Sequence, residues 1–194
     1  VEVFMSLERG GTKRLYEEKG IVLDYVEGWM PRRVSAKYTT SPYVQLIGDT
    51  YFTLLEAIGF KDIKLNPFDV VFIGPWPRKQ ISTIIGRITY NDLTPIAQDN
   101  LPKVVREIVL TNSKKFVETI NNAQLLTPRL HSLELLPGIG RVTVRRILEE
   151  RAKAPFTTLE DLKSRTGLQD PLKVITERIL MELTGEEKYK IFVR

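Results

Sequence analysis

The chain has 194 residues, 42% of them hydrophobic, and carries a formal net charge of +5, so it is long enough to bury its own core and basic enough to favour polyanionic partners. It contains no cysteine and one histidine, His131, which excludes disulfides, iron–sulfur clusters, thiolate zinc and any metal site built on two imidazoles; no metal or cofactor is expected. No run approaches the roughly 20 apolar residues of a membrane span, and the first residues lack a basic stretch followed by an apolar one, so a cytoplasmic protein with no membrane contact is expected.

Residues 1–19 are charged, include Gly10-Gly11 and show no period, which fits either a mobile arm or an added strand. From Gly20 to about Thr94, short apolar runs rich in Val, Ile and Tyr alternate with turn residues. Five strands are expected: Ile21 to Val26, Tyr43 to Ile47, Tyr51 to Ala57, Val70 to Ile73, and Ile84 to Tyr90. Gly48-Asp49 is a hairpin signal and Asn66-Pro67-Phe68-Asp69 a turn signal. Five short strands in so few residues predict a small Greek-key barrel of the OB type, with a compact SH3-like barrel as the competing assignment.

The connection from Glu27 to Pro42 carries Trp29, Arg32, Arg33, Lys37 and Tyr38. Cations attract phosphate and flat rings accept bases, so this loop is a candidate for single-strand contact; the alternative is that Trp29 and Tyr38 only anchor the loop. Tyr43, Tyr51 and Arg87 are candidates for a stacking platform on the strands. Gly74-Pro75-Trp76-Pro77-Arg78-Lys79 is a second aromatic and basic loop, in which Trp76, Arg78 and Lys79 are the candidate contacts.

Beyond Asp99 the apolar period becomes helical. Asn100 and Pro102 mark a start, with Leu101, Val104, Val105, Ile108 and Val109 on one face. Ser113 is expected to cap a second helix with Phe116, Val117 and Ile120 inward. Thr127-Pro128 is read as opening a helix that carries Leu133 and Leu136, with His131 at a solvated position. Then comes Leu136-Pro137-Gly138-Ile139-Gly140-Arg141-Val142-Thr143-Val144-Arg145-Arg146-Ile147-Leu148, two glycines about one apolar residue before a helix. The glycines let the backbone turn tightly and approach a ligand, and the free amides of the following helix suit a phosphate oxygen. A short Gly-rich turn between two core helices is the alternative. Arg141, Arg145, Arg146, Arg151 and Lys153 follow closely, either as phosphate contacts or as a solvated face paired in the manner of Arg146 with Glu150. Thr158 to Ser164 reads as a short helix. Asp170-Pro171 opens a longer one with Leu172, Ile175, Ile179 and Leu183 on one face, ended by Gly185. The tail from Lys190 to Arg194 either adds an edge strand or hangs free.

The stretch Leu136 to Leu148 resembles the hairpin of the helix-hairpin-helix family. That resemblance implies backbone-directed nucleic-acid binding, with Gly138, Ile139, Gly140, Arg141, Thr143, Arg145 and Arg146 as the contact set. Gly167-Leu168-Gln169 looks like a degenerate second copy, which implies a packing partner rather than a second phosphate site. The hairpin is also similar to that of base-excision glycosylases of the endonuclease III type, but Val142 stands where those with lyase activity place a lysine. The amine for Schiff-base chemistry is therefore missing. Glu160 and Asp161 lie where a catalytic aspartate would fall, yet Asp161 fits as a first-turn helix acid. No Walker loop, dinucleotide fingerprint or Ser/His/Asp set is present, so an enzyme is not expected.

A barrel followed by helix-hairpin-helix units resembles the bacterial Holliday-junction-binding protein. It is more similar to an archaeal family of unknown function described as predicted RNA-binding proteins, in the Gly-Pro-Trp-Pro loop and the Leu-Pro-Gly-Ile-Gly hairpin. The expected fold is thus α+β: an arm over 1–19, a five-stranded OB-like barrel over 20–95, and an all-α domain over 96–185. The latter would hold the hairpin motif at 127–150 and the degenerate copy at 157–184, ahead of a tail at 186–194. The expected function is non-enzymatic binding of RNA or DNA, RNA being preferred. A DNA junction or repair-DNA binder and a protein-interaction module with a structural hairpin are the rivals.

Overall fold

The computed structural model describes residues 16–75, 77–185 and 187–194; residues 1–15 and the candidate Trp76 lie outside them. Apolar alternation produces five strands, β1 (Lys19–Val26), β2 (Tyr43–Gly48), β3 (Leu54–Gly59), β4 (Val70–Phe72) and β5 (Ile81–Arg87). They form one sheet in the order β4-β1-β2-β3-β5, with every pair antiparallel. The arrangement β4-β1-β2-β3 is a Greek key. Register shifts that leave an extra residue at Leu23 in β1, and at Ile85 and Ser82 in β5 opposite Glu56/Ala57 and Ile58/Gly59 of β3, bend the strands and curl the sheet.

The curl stops at a half-barrel consistent with an OB-like fold. Among the described residues β4 and β5 do not pair, whereas the sequence predicts a closed barrel. The reason is local: β4 has three residues, and Pro75 and Pro77 in the connection to β5 have no amide to donate to a ladder. β3 begins three residues later than predicted because Thr50 to Thr53 are taken up in the turn. Glu17 is buried under that turn, and its carboxylate accepts the amides of Thr50 (3.0 Å), Tyr51 (2.9 Å) and Thr53 (3.1 Å). Gly48 is required here, since a Cβ would lie 1.9 Å from the Glu17 carboxyl carbon.

The helical part begins earlier than predicted, with α1 (Pro95–Thr111) capped by Thr94 and carrying Pro102 inside it. α2 (Ser113–Asn121) turns Phe116, Val117 and Ile120 inward as the period requires, although its N-cap is Asn112 rather than Ser113. The helix predicted to open at Thr127-Pro128 does not form. Instead β6 (Leu125–Thr127) and β7 (Leu130–His131) make a small antiparallel ribbon turning at Pro128-Arg129, followed by one 3-10 turn, Ser132–Leu135. Pro128 fixes φ for a tight turn as well as it does for a helix start. His131 is consequently buried, not solvated; its Nδ1 accepts the Leu133 amide at 3.1 Å.

α3 (Arg141–Lys153), α4 (Leu159–Thr166) and α5 (Pro171–Thr184) complete the chain. Asp170 caps α5 through the Lys173 amide and Gly185 ends it in the left-handed region. The largest core crosses from sheet to helices, joining Leu23, Ile47 and Leu54 to Leu101, Val105 and Phe116 and on to Val144, Ile147 and Ile175. The tail neither dangles nor adds a strand. Phe192 enters this core, and the buried Glu182 carboxylate accepts the amides of Ile191, Phe192 and Val193 at 2.8–2.9 Å. No helix among the described residues is long and apolar enough to cross a membrane.

Candidate nucleic-acid interface

The turn from Leu136 to Gly140 is closed by the Ile139 amide donating to the Leu136 carbonyl at 3.1 Å. Gly138 has φ +73°, a conformation that costs other residues about 1–2 kcal/mol. Ile139 is buried in the core and so anchors the turn rather than meeting a ligand. Gly140 is the N-cap of α3 and offers no side-chain cap. Its carbonyl accepts the Val144 amide at 3.0 Å, while the amides of Arg141, Val142 and Thr143 have no acceptor among the described residues. A Cβ built on Gly138 or Gly140 meets nothing within 4 Å. Three free amides therefore stand beside open space at the positive end of a helix, an arrangement suited to an oxyanion.

The arginines around this turn divide by occupation. Arg145 is exposed and makes no ion pair among the described residues, and Arg141 is 86% exposed with Glu134 3.9 Å away. Thr143 is half-buried on the same first turn. Arg146 donates to the Thr166 carbonyl at 3.2 Å, so it ties α3 to the end of α4 instead of pairing with Glu150. Arg151 is structural: it donates to the carbonyls of Ile120 and Ala123, both at 3.0 Å, at the end of α2. Glu150 is engaged by Lys153 and Arg165, and Lys153 foremost holds its carboxyl below the usual range.

On the sheet, Trp29 is 53% exposed and rests edge-on against Tyr43, with ring centroids 6.1 Å apart. Arg32 is exposed, and Lys37 is exposed with its Nζ 4.7 Å from the half-buried Tyr38 ring. One residue of the expected platform, Tyr43, and one of the loop, Arg33, are committed to Glu56. Tyr43 is fully buried, its hydroxyl donating to Glu56 at 2.7 Å; burial first, and then this bond, push its phenol up. Arg33 pairs with the same Glu56 at 3.0 Å and with Asp92 at 3.4 Å. Tyr51 is half-buried with Lys115 over its ring, in the turn beside α2. Lys79 and Arg87 are exposed, and Arg78 is half-buried with its Nε donating to the Gly74 carbonyl at 2.7 Å. No hydrogen bond or ion pair among the described residues joins the Glu27 to Pro42 loop to the Pro137 to Arg146 segment.

Sequence reasoning missed the buried pair Arg178 and Glu182, 2.9 Å apart on α5. Arg178 also donates to the Leu135 carbonyl at 3.1 Å, just before the glycine turn, and to Glu187 at 2.9 Å. Its i,i+4 spacing was the available signal, though the exposed pair Lys173 and Glu177 on the same helix has the same spacing.

The family model described as protein of unknown function (DUF655) matches residues 16–194. An uncharacterized protein of Methanocaldococcus jannaschii is 34% identical over 192 residues, 98% of this chain and 86% of that protein. A crystal structure from Archaeoglobus fulgidus, assigned to the same family, superposes with a TM-score of 0.81 at 37% identity, covering 92% of this chain and all of that one. The relatives thus lie in archaea, and the Archaeoglobus structure shares the fold.

Proposed function

We propose that this chain, which belongs to the DUF655 family, binds nucleic acid without altering it, RNA in preference to DNA. The glycine turn before α3 holds a phosphate backbone, and the half-barrel offers exposed rings and cations to an unpaired strand. One observation carries the reading: three unpartnered amides at the start of α3 face open space beside Gly138 and Gly140, flanked by the exposed Arg141 and Arg145. Amides and guanidiniums recognise phosphate but not its sugar, so the preference for RNA rests on the resemblance of the hairpin and the Gly-Pro-Trp-Pro loop to predicted RNA-binding proteins. Asp161 argues for binding over base excision. It accepts the Thr157 amide at 3.0 Å and pairs with Arg165 at 3.3 Å, which occupies it as a helix-start acid.

Competition among matched single-stranded RNA, single-stranded DNA, duplex and four-way junction, followed by fluorescence anisotropy, tests the proposal. Affinity for single-stranded RNA is expected to lead and to fall with salt, at a slope of about −0.7 per neutralised phosphate. A lead for the junction moves the reading to DNA repair. The absence of binding to any polynucleotide at low salt sinks it, and then Val142, 73% exposed at the mouth of the turn, favours a protein partner.

A further inference from the structure

The open seam of the half-barrel holds a cleft of 480 Å³, within the range of small-ligand sites, roughly 300–1,000 Å³. Its apolar wall comes from Leu55 on β3, Ile84 on β5 and Ile73 just past β4, three residues brought together because β4 and β5 bound the seam without pairing across it. Arg78 and Arg87 supply the charge, and the 65% exposed ring of Tyr16 stands at the edge. Arg87 lies directly across from Leu55 in the β3–β5 ladder, so its side chain rises from the same face as that wall. The bond from Arg78 Nε to the Gly74 carbonyl orients its guanidinium, and neither arginine is paired with a carboxylate among the described residues.

One acid lines the cleft, Glu17, and its oxygens are taken by the three turn amides. The charge available to a ligand is therefore positive. The larger groove between β4 and α1, of 530 Å³, sets Asp49 and Glu107 against the single cation Lys19, so its lining is net negative and suits an anion less well. An apolar wall next to two guanidiniums that no carboxylate among the described residues pairs matches a base joined through its sugar to a phosphate.

We infer that the seam cleft binds one phosphorylated nucleoside, its base against Leu55, Ile73 and Ile84 and its phosphate on Arg78 and Arg87. This deepens the reading given above, in which the ligand is a nucleotide unit of an unpaired strand. A free nucleotide has the same chemistry, and the test separates the two sources.

The full chain is titrated with a labelled single-stranded oligouridylate, with UMP and ribose 5-phosphate as competitors, and UMP binding is also measured directly by calorimetry. UMP is expected to bind and to compete, and ribose 5-phosphate, which has no base, to do so far less. Arg87→Glu is expected to weaken both ligands by about tenfold or more, and Arg87→Gln by less. Lys163→Glu, the same charge change on an exposed residue of α4, leaves UMP binding as it was. Melting curves establish that each variant is folded. A strand that binds while UMP does not, unaffected by either Arg87 change, overturns the cleft and leaves the hairpin reading intact. UMP binding that is lost in Arg87→Glu, with no strand bound by the parent chain, keeps the cleft as a free-nucleotide site and removes the strand.

Discussion

His131 shows how much a single residue's role depends on contacts that the local pattern does not display. Burial, and then the nearby Arg151 charge, hold its imidazole below its ordinary value, while Glu134 opposes them. The Leu133 amide donating to Nδ1 needs an unprotonated nitrogen there, so geometry points the same way. Because the folded value is the lower one, the unfolded chain takes up the proton first. The stabilisation is complete above the ordinary histidine value of about 6.5 and is lost as pH falls through the folded value. Denaturant midpoints measured from pH 7.5 down to pH 5 should decline in the parent chain and decline less in His131→Gln; equal slopes would remove this role. The buried imidazole was illegible because its neighbours come from a ribbon and a 3-10 turn where the sequence predicts one helix. The bonds that hold Arg33 and Tyr43 were illegible for a related reason. Glu56, which binds both, is 23 residues from the first and 13 from the second, beyond the reach of any periodicity.

At the level of elements, segments whose ends carry their own signals were legible. α5 runs from the Asp170 cap to Gly185 because both termini are specified by residues in contact with the helix itself. The turn at Gly138 and Gly140 was legible for the same reason, and the start of α3 follows from it. What precedes the turn was not, since Pro128 suits a ribbon turn and a helix start alike. The turn also bears a prediction that the observed contacts sharpen. Gly140 has φ −97° and open space where a Cβ would stand, so Gly140→Val leaves the fold in place, at a cost within about 1 kcal/mol for a poorer cap. Its isopropyl group would occupy the approach to the amides of α3. Polynucleotide affinity should therefore fall by tenfold or more (about 1.4 kcal/mol) with melting nearly unchanged. Arg145→Ala, which removes only an exposed charge, should cost less. Equal losses would assign the affinity to bulk charge. Arg151 makes an unsuitable control, because its removal would free two carbonyls at the end of α2.

Across the whole molecule, sheet and helices are joined by polar bonds as well as by the common core. Gln45 on β2 donates to the Asp92 carbonyl at 2.8 Å and accepts the Thr94 amide at 2.8 Å, Thr94 donates to Asp24 on β1, and Asn100 on α1 donates to the Leu23 carbonyl at 3.0 Å. A polar side chain that satisfies backbone groups of the other layer loses its partners if either layer opens alone, and each loss costs about 1–3 kcal/mol. The apolar packing agrees, for Leu101, 1% exposed, belongs to the core that sheet and helices share. The chain should consequently unfold in one step, the half-barrel and the helices together. Trp29 reports on the sheet, so its fluorescence, read in a Trp76→Phe background, should melt at the same temperature as the far-ultraviolet circular dichroism of the helices. Leu101→Ala should lower both midpoints together, by the equivalent of about 2–5 kcal/mol. Two separated transitions, or a shift confined to the helical signal, would mean that the layers fold independently. The proposed hairpin and seam sites would then sit on two bodies that can move, rather than on one rigid body.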